Sequence, residues 1–102
     1  MRAEILHIVD CPNWGEAGRR LRTALDSTGH RDTVITFTIV ESSAAAKKVP
    51  FAGSPTILID GTDLFPSDGH TSDLACRVYL TPGGFAGQPT QEQLQKALAS
   101  RG

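Results

Sequence analysis

The stretch from Ala3 to Leu25 commits the chain to a strand followed by a helix. Ile5, Leu6, Ile8 and Val9 form a nearly continuous apolar run, which suits a strand covered on both faces. The period then changes. Trp14, Ala17, Leu21, Ala24 and Leu25 recur at spacings of three and four, one stripe of an amphipathic helix. The pattern predicts a strand over Ala3–Val9 and a helix over Asn13–Ser27. Pro12 fits the first helical turn, where its missing N–H has no partner to lose, and Gly29 fits the stop. Between strand and helix stands "VDCPNW", so Cys11 sits at the junction.

The rest of the chain continues the alternation. "TVITFTIVE", Thr33 to Glu41, is rich in β-branched residues and places Ile35, Phe37 and Ile39 on one face, a second strand. Ser42 or Ser43 can cap a short helix through Ala44, Ala45, Ala46 and Lys47, which Pro50 and Gly53 close. "PTILIDGTDLF" reads as a hairpin turning at Asp60–Gly61. Thr90 with Gln93 is a capping-box start for a last helix carrying Leu94, Ala97 and Leu98. The order is β-α-β-α-β-β-α. The segment Pro66–Gly84 is too long for a simple turn, and its "CRVYL" fits a short strand or a helical turn equally.

At 102 residues the length fits one domain, spanning 1–102. A formal net charge of −1, from 10 basic and 11 acidic residues, gives none of the basic face that nucleic-acid binding requires. No apolar stretch nears the ~20 residues that cross a bilayer, and the start of the chain lacks the pattern of a signal peptide. The cytoplasm is the expected compartment, where thiols stay reduced. Two cysteines, Cys11 and Cys76, are too few for a disulfide scaffold.

A thiol at a helix N-terminus faces unpaired N–H groups and the positive end of the helix dipole. Both favour the thiolate, the form that attacks disulfides and other electrophiles. Asp10, next in sequence, opposes this by its charge. The bland reading makes Cys11 a small buried residue ending a strand. Cys76 is either a second reacting thiol, if it comes within disulfide reach, or a core cysteine. Asn13 can offer its amide to the sulfur, Trp14 can pack the helix or shield the thiol, and Arg77 is a weak candidate for stabilising a thiolate. His7, His30 and His70 have no ligand spacing, so a zinc site with the cysteines has little support.

"VDCPNW" at the first strand–helix junction and "FAGSPTILIDG" before the hairpin resemble the thioredoxin-like fold, in the shorter, glutaredoxin-sized version of small bacterial proteins. "DCPN" with a later cysteine before Arg-Val-Tyr is also similar to small actinobacterial members of that family. The resemblance implies a three-layer α/β/α sandwich with a mixed four-stranded sheet, and an insertion around Cys76. It implies that Cys11 is the nucleophile and that Pro55 is a cis-proline opposite it. It further implies that the backbone of Ser54 is free to pair with an extended substrate, with Gly53 letting the loop approach. The second cysteine of the usual motif is replaced by Trp14, so no disulfide can form within it.

The resulting expectation is a thiol–disulfide oxidoreductase. Cys11 attacks the external sulfur, Pro12, Asn13, Trp14, Ser54 and Pro55 line the substrate, and Cys76 or an external thiol resolves the mixed disulfide. Its partners are protein or small-molecule thiols and disulfides, and no cofactor or resident metal enters. Two alternatives stand beside it. One is a non-catalytic binding domain of the same fold; the other is a soft-metal or organomercury-handling thiol pair.

Overall fold

The computed structural model describes residues 1–66 and 74–101. Residues 67–73, part of the ambiguous Pro66–Gly84 segment and including His70, lie outside the described residues. The elements are β1 (Ala3–His7), α1 (Trp14–Ser27), β2 (Ile35–Ile39), α2 (Ser43–Lys47), β3 (Thr56–Ile59), β4 (Thr62–Asp63), β5 (Tyr79–Thr81), β6 (Gly84–Ala86) and α3 (Gln91–Arg101). The protein is mixed α/β. Its four-stranded sheet runs in the order β2-β1-β3-β4, and β5 and β6 form a separate two-stranded sheet.

β1 is the centre of the design. It pairs in parallel with β2, from Ala3 opposite Ile35 to His7 opposite Ile39. On its other edge it pairs antiparallel with β3, Ile5 opposite Ile57. Alternation along β1 then feeds two apolar clusters. Ala3 and Ile5 join Ile57 and Ile59 beneath Leu21 and Leu25 of α1 and Leu94 and Leu98 of α3. Leu6 and Ile8 join Leu58, Val40, Ala46, Phe51 and Cys11. Both faces are therefore covered, which is why β1 reads as a continuous apolar run. Gly18 lets α1 approach closely, since a Cβ there would lie 2.7 Å from the Phe37 ring.

Several local expectations hold in detail. Asp60 and Gly61 turn the β3–β4 hairpin with φ of 53° and 82°, the positive values of a type I′ turn. Ser42 caps α2 by accepting from the Ala45 N–H at 3.1 Å. Thr90 and Gln93 complete the reciprocal capping box at 3.1 and 2.9 Å.

Others need correction. β1 ends at His7, not Val9, because the Ile8 N–H leaves the ladder to donate to the Ser54 hydroxyl at 3.0 Å. β2 is Ile35–Ile39 rather than Thr33–Glu41, and as the edge strand it leaves Phe37 and Ile39 partly in solvent. Pro12 lies outside the first helical turn: α1 starts at Trp14 with Asn13 as its N-cap. "CRVYL" is extended, with Cys76 bridged to Ser54 and β5 beginning at Tyr79. The element order gains the β5–β6 hairpin before α3. Among the described residues no helix is long and apolar enough to cross a membrane.

Candidate active site

Cys11 is fully buried where β1 gives way to α1. Its thiol donates to the Ser54 carbonyl at 3.4 Å, and the Asn13 side-chain amide reaches its sulfur at 3.9 Å. Asn13 is an N-cap whose side chain makes no capping hydrogen bond, because that amide is turned toward the sulfur instead. Gly87 gives it room: a Cβ at Gly87 would collide with the Asn13 amide.

The Ser54–Pro55 peptide bond is cis. Ser54 and Pro55 thus carry the backbone form that the resemblance implies, beside Cys11. The backbone of Ser54 is not free, however. Its N–H donates to the Ala75 carbonyl at 2.9 Å, and its carbonyl accepts from the Arg77 N–H at 2.7 Å. The flanked residue is Cys76, joined to Ser54 as an isolated parallel bridge. Gly53, at a φ of 106°, allows this approach, since a Cβ there would lie 2.9 Å from Arg77 Cβ and 3.0 Å from its Cα.

Cys76 is exposed, and both cysteines are free thiols. Cys76 lies close enough to Cys11 for each thiol to shift the ionisation of the other, in opposite directions. Burial pushes the Cys11 thiol up. Hydrogen bonds from the Asn13 N–H, the Cys76 thiol, the Ser54 side chain and the Asn13 amide outweigh it, and hold Cys11 below the ordinary thiol value. Cys76 is raised, first by its hydrogen bond with Cys11, then by burial and by the charges of Cys11 and Asp10. Cys11 is therefore the more acidic thiol of the two.

Arg77 does not serve the thiolate. Its guanidinium binds Asp63 at 2.8 Å, donates to the Phe65 carbonyl, and lies 4.5 Å over the Tyr79 ring. Tyr79 donates its hydroxyl to the Pro55 carbonyl. Burial, the largest influence, holds its phenol well above the ordinary value. Arg77 and Tyr79 face inward while Cys76, Val78 and Leu80 face outward. The inward pair ties the Cys76 segment to β4 and to the Ser54–Pro55 loop.

Trp14 packs the start of α1, the first of its two expected roles. Its ring stacks on His7 at 4.4 Å and meets Phe37 edge-on at 5.6 Å, packed against the α1–α3 cluster rather than the cluster holding Cys11. Pro12 sits in the turn before the N-cap. Among the described residues no group of three or more His, Cys, Asp or Glu side chains is placed to hold a metal ion. Sequence reading gave no role to Asp63, Tyr79 or Gly87. The alternation of "CRVYL" was the available signal for Tyr79, since it puts Arg77 and Tyr79 on one face and Cys76 on the other.

Comparison of the chain with family models, with curated proteins and with solved structures gives no match.

Proposed function

We propose that this chain is a thiol–disulfide oxidoreductase of thioredoxin-like fold in which Cys11 and Cys76 cycle between two thiols and one disulfide. The observation that carries the reading is the placement of Cys76 beside Cys11: Cys76 is bridged to Ser54, whose carbonyl accepts from the Cys11 thiol at 3.4 Å. Cys11 is the nucleophile of the pair: the Asn13 N–H and amide stabilise its thiolate, and the thiolate is the reacting form in exchange. Cys76 is the sulfur with which it bonds. In full turnover the two thiols pass two electrons and two protons to an external disulfide, which leaves as two thiols. The β2-β1-β3-β4 order, with β1 and β2 parallel and β3 reversed, supports the fold assignment. A reducing cytoplasm would keep the pair as the dithiol.

The test is reduction of a small disulfide by the full chain with an external dithiol as electron source. Wild type should turn over, and Cys11→Ser and Cys76→Ser should each abolish it. Retained turnover in Cys11→Ser would remove the reading. Absence of turnover in wild type, with tight binding of a soft metal that either substitution abolishes, would favour a thiol-pair metal site instead.

A further inference from the structure

We propose that external thiols and disulfides exchange with this protein at the sulfur of Cys76, while Cys11 is the buried sulfur that leaves or closes the internal bond. This rests on the redox reading of the pair. It inverts the expected order, in which Cys11 meets the external sulfur and Cys76 resolves.

Access is the first argument. Cys11 is 0% exposed, whereas Cys76 is open to solvent. The polar edge beside Cys11 is also consumed. Ser54 spends its N–H on Ala75 and its carbonyl on Arg77, so an incoming extended segment finds neither group available. The chain's own Ala75–Arg77 segment occupies that edge and presents Cys76 to Cys11, as a bound partner would present its cysteine.

Direction of attack is the second. Exchange proceeds by attack of a thiolate on one sulfur of a disulfide, in line with the bond being broken. For a Cys11–Cys76 bond, an attacker on Cys11 must come from the side away from Cys76. Cys11 is 0% exposed and packed with Leu6, Ile8, Val40 and Phe51, so no side of it is open to an attacker. An attacker on Cys76 meets an exposed residue.

The step then balances. An external thiolate bonds to the Cys76 sulfur, the Cys11–Cys76 bond breaks, and its electron pair stays on Cys11. The Asn13 side-chain amide, 3.9 Å from that sulfur, receives the new thiolate, and the lower-pKa sulfur is the faster leaving group. A second external thiolate attacks the outer sulfur of the mixed disulfide. It releases an external disulfide and a Cys76 thiolate, which takes a proton from solvent. Two external thiols are oxidised and the internal disulfide is reduced.

The experiment uses the full chain, oxidised, mixed with limiting glutathione, quenched in acid at short times and mapped by peptide mass. Glutathione on the Cys76 peptide with Cys11 free is the expected result; glutathione on Cys11 with Cys76 free overturns the proposal. A second arm needs no internal bond. Reduced Cys11→Ser and Cys76→Ser react with an aromatic disulfide reagent, and rates are expressed per thiolate from each variant's own titration. Cys76 alone should react about ten-fold faster or more than Cys11 alone, as an exposed thiolate against a covered one. Equal or reversed rates overturn the proposal. Failure of the internal disulfide to form would sink the redox reading, while this arm would still decide which sulfur is accessible.

Discussion

Cys76 stands beside Cys11, bridged to the same Ser54 whose carbonyl accepts from the Cys11 thiol, and each cysteine shifts the ionisation of the other. Removing either should move its neighbour in a known direction. Cys76→Ala takes away one of the influences that lower the Cys11 pKa, so that pKa rises. Cys11→Ala removes the largest influence on Cys76, and the Cys76 pKa falls toward the ordinary value. Ultraviolet absorbance of the thiolate against pH measures both. Unchanged values in the two variants would contradict the contact.

The same pair makes stability depend on pH with opposite signs. The Cys11 pKa is lowered on folding. Its contribution is present above the unfolded thiol value and is lost as pH falls through the folded one. The Cys76 pKa is raised, so its contribution is present below the unfolded value and is lost as pH rises through the folded one. Under reducing conditions the stability of wild type relative to Cys11→Ala should therefore increase as pH climbs toward the ordinary thiol value of ~8.5. Urea unfolding at a series of pH values checks this.

Arg77 and Asp63 form an ion pair with side chains only 7% and 15% exposed. Arg77→Met leaves the Asp63 carboxylate buried without its partner, a loss of about 3–5 kcal/mol by the usual cost of breaking such a pair. Adding Asp63→Leu should restore much of it, because the unpaired charge goes too. In Arg77→Met, closure of the Cys11–Cys76 bond should also slow, since the guanidinium anchors the Cys76 segment. Urea unfolding and the rate of thiol loss under mild oxidant measure the two effects.

Gly53 and Gly29 both have positive φ, 106° and 85°, but different surroundings. A Cβ at Gly29 meets nothing within 4 Å, whereas one at Gly53 meets the backbone of Arg77. Gly29→Ala should cost roughly 1 kcal/mol, the backbone strain alone. Gly53→Ala adds a collision that pushes the Cys76 segment from Ser54, and should cost more, while also slowing internal disulfide formation. Equal destabilisation by the two substitutions would argue against the close approach.

What the sequence made legible was local. The apolar run of β1, the stripe of α1, the Asp60–Gly61 turn and the Thr90–Gln93 box each depend on neighbours within a few residues, and each is found in place. The Cys11 environment was readable for the same reason, since the N–H of Asn13 follows from a helix starting beside it. The position of Cys76 was not. It depends on Ser54 bonding residues 75 and 77 across the fold and on Gly53 lacking a side chain, and neither shows as a periodicity. The inward turn of Arg77 depends on Asp63, a partner that no spacing announces. Strand ends were lost where the backbone leaves the ladder for a side chain, as Ile8 does for Ser54.

The central claim, that Cys11 and Cys76 are one redox couple, is tested most directly by peptide mapping of the full chain after mild oxidation. The account predicts a Cys11–Cys76 disulfide within the monomer that dithiothreitol reverses. Two thiols that both remain free, or bond only between chains, under conditions that fully oxidise a comparable small dithiol would contradict it.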